Sequence, residues 1–245
     1  MADSKITGLP DNTRPLLTDH IEIVDDPAAS PASQELALVD LLGSGWLEPG
    51  ETWVYVSATS FMIVGVDRTA RYRVGRKLRC KQGGGYKYFY VISSSFATNT
   101  TVTITGGSDF SLANASITDN YFSYVETPEG FPDWFAYTPT VTSGTGTFTT
   151  VSATGRFALI GRVVVMLVTV IITTNGTAGT SVKVSLPVTA MTTDVAIGVG
   201  RENTVTGNML QTQLSAAMAT VFTYNNLYPG GDGRQIQLSQ LYQMA

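Results

Sequence analysis

Side chains that could support catalysis are few and scattered in this chain of 245 residues. His20 is its only histidine, so a Ser–His–acid triad would have to use it, and no Gly–x–Ser–x–Gly elbow is present. A glycosidase needs two carboxylates flanking the scissile bond, but residues 135–245 contain only Asp194, Glu202 and Asp232. Clusters of His and Cys with zinc-binding spacing are also absent. We therefore predict no catalytic, cofactor or metal site, and we keep a host-glycan depolymerase as the enzymatic alternative.

A cluster of basic residues could bind phosphate or an anionic glycan. A single basic strand is weak support for nucleic-acid binding. We favour a structural interpretation, in which these charges lie on solvated strands and pair with the acidic N-terminal segment of the same or a neighbouring chain. The cluster consists of Arg68, Arg71, Arg73, Arg76, Lys77, Arg79 and Lys81.

Three tyrosines share one face of a predicted strand. Tyr86, Tyr88 and Tyr90 alternate along the chain and lie beside Lys87. Aromatic rings next to basic side chains can stack on nucleotides or sugars. A half-buried β surface gives the same pattern more often, so we predict that the tyrosines pack against the protein.

The C-terminal part of the chain offers two candidate contact sites. Arg201 and Glu202 form a charged pair in a nearly uncharged segment. They could form an ion pair that fixes the register between subunits, which we favour, or part of a recognition pocket. The turn from Tyr224 to Pro229 carries Tyr224 and Tyr228, and loops on a rigid sheet are where binding residues usually lie. Our predicted trimer or receptor contacts are Arg201, Glu202, Tyr224 and Tyr228.

The composition favours a protein that buries surface in an oligomer. Charged residues make up 14% of the chain, well below the roughly 25% of ordinary globular domains. The net charge of −4 argues against general nucleic-acid binding. Cys80 is the single cysteine, so no disulfide forms within the chain.

The most apolar run, Val163 to Ile172, is shorter than the roughly 20 residues that span a bilayer. Its β-branched content predicts a strand buried on both faces. The start of the chain lacks the pattern of a signal peptide. We expect no membrane insertion.

Shifts in composition divide the chain into three modules. Residues 1–43 are acidic and interrupted by proline, residues 44–131 read as closely spaced strands with glycine-rich turns, and residues 132–245 alternate apolar and polar residues. Phe131 to Trp134 is the predicted hinge between the last two modules. We predict a mainly β protein, with a small barrel or sandwich followed by a jelly-roll-like sandwich.

The N-terminal module is predicted to contain a strand and a short helix. Ile21 and Ile23 are spaced for one face of a strand, and Leu38, Leu41 and Leu42 are spaced for a helix over Ala37–Leu42. A helix this short is marginal in water by itself. Packing of several copies around an axis would stabilise it, which predicts a homo-oligomer.

The order of these motifs resembles bacteriophage tail fibres and related virion appendages. The opening has the form Ile6–x–x–Leu9–Pro10, followed by a Thr/Asp segment, the Ile21–x–Ile23–Val24 strand and the leucine-rich helix. The middle module has the order Trp53–x–Tyr55–x–Ser57–Ala58–Thr59–Ser60–Phe61, then Tyr72–x–Val74–Gly75–x–x–Leu78, Lys87–Tyr88–Phe89 and Thr101–Val102–Thr103–Ile104–Thr105–Gly106–Gly107. The last module resembles fibre tips through Gly200–Arg201–Glu202, Thr206–Leu210 and the turn at Tyr224–Pro229.

This resemblance implies a structural, non-enzymatic virion protein, assembled in the cytoplasm of a bacterial host. The N-terminal module would attach the trimer to other virion proteins of the tail, baseplate or capsid, through Ile6, Leu9, Pro10, Ile21 and Ile23. The middle module would act as a neck. The distal module would contact a receptor on the host cell surface, for which a glycan is one candidate. A head fibre or decoration protein on the capsid is the alternative within the same class.

Overall fold

A computed structural model describes residues 20–25, 32–37, 44–191 and 197–245. Strands β1 (His20–Asp25) and β2 (Ala32–Ala37) form an antiparallel pair in which Ile21 and Ile23 lie opposite Leu36 and Gln34. The predicted strand at Ile21 and Ile23 is therefore present. Residue 37 ends β2, and the rest of the predicted helix lies outside the described residues, as do Ile6, Leu9 and Pro10.

The middle module is a six-stranded antiparallel sheet with the order β3-β4-β7-β6-β5-β8. Its strands fall in the segments predicted from the alternating sequence. They are β3 (Val54–Ser57), β4 (Ser60–Ile63), β5 (Lys77–Gln82), β6 (Gly85–Phe96), β7 (Thr100–Thr105) and β8 (Thr118–Ser123). The core is aromatic: Trp53 stacks on Phe61 at 4.3 Å between ring centroids, and its indole N–H donates to the hydroxyl of Tyr72 at 2.8 Å.

The C-terminal module is one curled antiparallel sheet with the order β10-β13-β16-β15-β14-β17-β12-β11-β9. Curling brings β10 back towards β11, so the inner side chains enclose a core. The strands are β9 (Phe135–Tyr137), β10 (Val141–Thr145), β11 (Thr150–Ile160), β12 (Val163–Thr174), β13 (Gly179–Ser185), β14 (Ile197–Glu202), β15 (Met209–Leu214), β16 (Met218–Thr223) and β17 (Arg234–Gln243). The described residues form strands, turns and irregular segments, with no helix among them.

Strand β12 corrects one prediction made from the sequence. Its inner residues are buried in the core: Val164, Met166, Val168, Val170 and Ile172. The outer residues are half-buried or exposed, with Val163 37% and Ile171 45% accessible. The run was predicted to be buried on both faces. Among the described residues only one face is covered, because the curled sheet is a single layer around its core.

The segment Phe131–Trp134, predicted to be a hinge, is a packed junction between the two larger sheets. Phe131 and Phe135 lie 5.0 and 5.2 Å from the ring of Tyr90, which is on β6. Phe135 also contacts Phe157 of β11, at 5.9 Å. The backbone is held as well, because the N–H of Ala136 donates to Asp109 at 2.7 Å. These aromatic pairs join the two cores.

We expect Phe135→Ala to lower the free energy of unfolding by about 3–5 kcal/mol, since it removes a fully buried ring from this junction. Chemical denaturation would measure the loss. Tyr224→Ala, which removes an exposed ring, is the matched control and should change stability by no more than about 0.5 kcal/mol. Equal effects of the two substitutions would contradict a structural role for the junction.

Candidate contact surface on the C-terminal sheet

The basic cluster at positions 68–81 is largely neutralised within its own module. Glu51 accepts from Arg68 at 3.3 Å and from Arg71 at 2.5 Å. Lys77 is buried and lies 3.2 Å from the carboxylate of Glu126. These pairs match the structural interpretation, although the acids in them belong to the middle module.

Aromatic rings contact two of the four remaining basic side chains, Arg76 and Arg79. The guanidinium of Arg79 lies within 4.4–4.8 Å of three ring centroids, those of Trp46, Tyr86 and Tyr121. Arg76 lies 4.2 Å from the ring of Tyr124. Contacts of this kind stabilise a cation where it is partly shielded from water. The cluster therefore organises the surface of its own sheet.

The tyrosine stripe on β6 packs against the protein as predicted. Tyr90 is buried at the junction, and Tyr88 lies 5.7 Å from Phe110 and 5.9 Å from Phe131. Tyr86 is more exposed and contacts Arg79. The tyrosine stripe is therefore part of the packing of the middle module, and the remaining candidate contact residues lie on the C-terminal sheet.

Arg201 and Glu202 point to opposite faces of β14 and do not pair with each other. Glu202 is 1% exposed, and its carboxylate accepts hydrogen bonds from the loop that follows the strand. The donors are the N–H groups of Thr204, Val205, Thr206 and Gly207 and the hydroxyls of Thr204 and Thr206. The carboxylate therefore fixes the conformation of the β14–β15 loop.

This environment determines the charge of Glu202. Burial alone would raise the pKa of the carboxyl group, but the hydrogen bonds from Thr206 and Thr204 outweigh it and hold the pKa far below its usual range. Glu202 is therefore ionised at neutral pH, and its charge is satisfied inside the chain.

The two tyrosines of the C-terminal turn have different roles. Tyr228 is half-buried against the core, and its hydroxyl donates to the side-chain oxygen of Asn175 at 2.5 Å. Tyr224 is 69% exposed, and its backbone N–H donates to the carbonyl of Met209 at 3.1 Å. Tyr228 therefore anchors the turn, while the ring of Tyr224 is available for contact.

Tyr224 and Arg201 belong to one line of outward side chains across the sheet, which we call the cross-strand row. Strand pairing aligns Thr154 with Thr169, Thr169 with Gln237, Gln237 with Arg201, and Arg201 with Met209. Tyr224 follows β16 beside Met209. The row thus consists of Thr154, Thr169, Gln237, Arg201, Met209 and Tyr224.

A shallow concavity of about 420 Å³ lies at the β11 end of this row. The outward side chains that line it are Thr154, Arg156, Leu167, Thr169 and Gln237, and Gly155, Val168 and Leu238 complete the lining. The guanidinium of Arg156 also lies 4.9 Å from the ring of Trp134, which is not part of the lining. The concavity therefore combines a cation, two hydroxyls, an amide and one aliphatic side chain.

An uncovered apolar area adjoins the row on the same outer face, and we call it the apolar field. Ile160 is 60% exposed, and Leu241 and Val199 are each 58% exposed. Cross-strand pairing places Val163 beside Ile160 and Val165 beside Leu241. The field consists of Ile160, Val163, Val165, Val199 and Leu241. Large exposed apolar patches mark interaction sites in soluble proteins.

The acids considered for hydrolysis do not form a pair on this surface. Glu202 is committed to its loop, and Asp232 accepts from the backbone N–H of Asn175 at 2.6 Å. Asp194 lies outside the described residues. Within the described ranges, no group of three or more His, Cys, Asp or Glu side chains could hold a metal ion.

Comparisons with family models, curated proteins and solved structures returned no match to this chain. In the part of the chain that the structure describes, no helix has the length and apolar character needed to cross a membrane. The outer face of the C-terminal sheet is therefore the basis of the functional proposal.

The loop held by Glu202 should make stability depend on pH. A carboxyl group with a depressed pKa in the folded state stabilises that state above its unfolded pKa of about 4.3, and the contribution is lost as the pH falls below that value. We expect Glu202→Gln to cost about 1–3 kcal/mol near neutral pH. Urea denaturation from about pH 7 to about pH 3 should show a smaller acid-induced loss for Glu202→Gln than for wild type.

The matched control is Glu129→Gln, because Glu129 is exposed. It should follow the wild-type curve at every pH. Parallel curves for wild type and Glu202→Gln would contradict the role assigned to the carboxylate.

Proposed function

We propose that this chain is a structural virion protein of a bacteriophage: a homotrimeric tail fibre that takes part in host attachment. The observation that carries the proposal is the apolar field, an uncovered face on an otherwise well-packed sheet. The resemblance of the sequence to virion appendages provides the biological setting. A trimer provides the physical reason for the field, since copies of the chain would cover it.

The sequence of β12 supports burial of the field. A continuous apolar run such as Val163–Ile172 is typical of strands covered on both faces. The described residues cover only one face, and Val163 and Ile171 on the other are partly exposed. A partner that covers the second face would give β12 the burial on both faces that its sequence predicts.

A second copy is the partner that fits best. The field has no charged side chain among its five members, and charged residues are scarce in the whole chain, at 14%. Uncharged surfaces associate without leaving unpaired charges buried. Homo-oligomers usually close with point symmetry, and three is the order implied by the resemblance.

The N-terminal module is suited to attachment. Residues 1–45 carry eight acids and two bases, and among the described residues the β1–β2 pair is hydrogen-bonded to neither larger sheet. We assign residues 1–43 to virion attachment, residues 44–131 to a neck, and residues 132–245 to the distal end. The finer fold assignments, a short trimer-forming N-terminal helix and a jelly-roll-like tip, belong to this proposal.

Wild type should have a solution mass about three times the 26.2 kDa of the chain. Leu241→Glu should dissociate the trimer, because it would bury an unpaired charge in the field. The control Thr142→Glu places the same charge on β10, at the far edge of the sheet, and should leave the trimer intact. Multi-angle light scattering distinguishes these species. A monomeric wild type, or a trimeric Leu241→Glu variant, would refute the proposed interface.

Removal of residues 1–43 should give a folded, soluble protein that no longer joins the particle. The two larger sheets have their own cores and lie outside the deleted part. Circular dichroism would confirm folding, and immunoblots of purified particles would measure incorporation. Incorporation of the truncated chain at the wild-type level would refute the assignment of the N-terminal module.

A further inference from the structure

We propose that the concavity lined by Thr154, Arg156, Leu167, Thr169 and Gln237 binds a carboxylate-bearing saccharide, with the carboxylate on the guanidinium of Arg156. The inference rests on the proposed role in host attachment and names the class of receptor. The ligand is bound without being cleaved.

The polar groups of the concavity are free to bind a ligand. In the described part of the chain, the hydroxyls of Thr154 and Thr169 and the amide of Gln237 form no hydrogen bond with another residue. Strand pairing holds the three side chains side by side on β11, β12 and β17. Adjacent strands lie about 4.8 Å apart, a spacing comparable with the width of one sugar ring. Ring hydroxyls could therefore bond to neighbouring strands without rearrangement of the sheet.

Arg156 gives the site its preference for a negative charge. Its guanidinium contacts the ring of Trp134 at 4.9 Å and has no acidic partner among the described residues. Contact with an aromatic ring restrains the guanidinium, and a guanidinium can match a carboxylate with two parallel hydrogen bonds. Residues 135–245 contain only three acids, so the surroundings of Arg156 on the C-terminal sheet carry little negative charge.

The remaining lining favours a saccharide over other anions. Leu167 provides an aliphatic surface for the C–H face of a sugar, and the volume of about 420 Å³ falls in the range of small-molecule sites. A nucleic acid requires a broader basic surface than Arg156 and Arg201 provide.

The cross-strand row extends the site beyond one sugar. Arg201 lies three strands from Arg156 in the sheet order, a separation of roughly 14 Å. A ligand that reached both guanidinium groups would be an oligosaccharide. The exposed ring of Tyr224, beyond Met209, would offer a stacking surface at the far end.

The test measures binding of two acidic probes to the full-length protein by isothermal titration calorimetry. The probes are trigalacturonate and sialyllactose, and their neutral counterparts are the methyl ester of trigalacturonate and lactose. We expect at least one acidic probe to bind about tenfold or more tightly than its neutral counterpart, as loss of a charge-assisted hydrogen bond predicts.

Variants assign the binding to the concavity. Arg156→Ala should weaken acidic binding about tenfold or more, while Arg156→Lys should keep part of it, because the charge remains but the paired hydrogen bonds are lost. Thr169→Val should weaken acidic and neutral probes alike. The control Arg73→Ala removes the same charge from an exposed position on the middle module and should bind as wild type does.

The inference is overturned if neither acidic probe binds, if acidic and neutral probes bind equally, or if Arg156→Ala binds as tightly as Arg73→Ala. Measurements of the solution mass and of incorporation into particles distinguish failure of the saccharide site from failure of the proposed function. A trimer that joins the particle but binds no acidic probe would refute the saccharide site alone. A monomer that fails to join the particle would refute the proposed function, whatever it binds.

Discussion

The C-terminal sheet has two faces, and the part of the chain that the structure describes covers only one of them. Its inner residues enclose a core that includes Phe157, Met166 and Ile236, while the outer face leaves Ile160 and Leu241 open to solvent. Burial of apolar surface is worth about 25 cal/mol per Å² removed from water, so covering the outer face would release substantial free energy. The proposed trimer follows from this constraint, because copies of the chain would cover the exposed side chains.

Fixed local geometry allows the outer face to act as a rigid surface. The carboxylate of Glu202 accepts hydrogen bonds from its own loop and so holds the turn beside Arg201 and Met209. At the other end of the module, Phe135 joins the C-terminal sheet to the middle module through Tyr90. Polar and apolar side chains of the outer face are thus presented in fixed positions, which lowers the entropic cost of binding.

Periodicity predicted most strands but could not predict which side chains meet. Closely spaced apolar segments and glycine-rich turns predicted the strands of the middle module, and period-two alternation predicted those of the C-terminal module. The same period places the neighbours Arg201 and Glu202 on opposite faces of β14, but only the structure shows that Glu202 is the buried one and that its own loop surrounds its carboxylate. The cross-strand row joins Thr154 to Gln237, which are distant in sequence, and only the strand register aligns them with Thr169. The two-sided burial predicted for Val163–Ile172 requires a partner that one chain does not contain.

A density map of the intact particle directly tests whether copies of the chain cover the outer face of the C-terminal sheet, because it shows both the symmetry of the protein and the surroundings of that face. We expect a threefold appendage in which Val199 and Leu241 face neighbouring copies and the N-terminal module contacts the particle. A map in which the chain is monomeric, or in which these side chains face solvent, would contradict it.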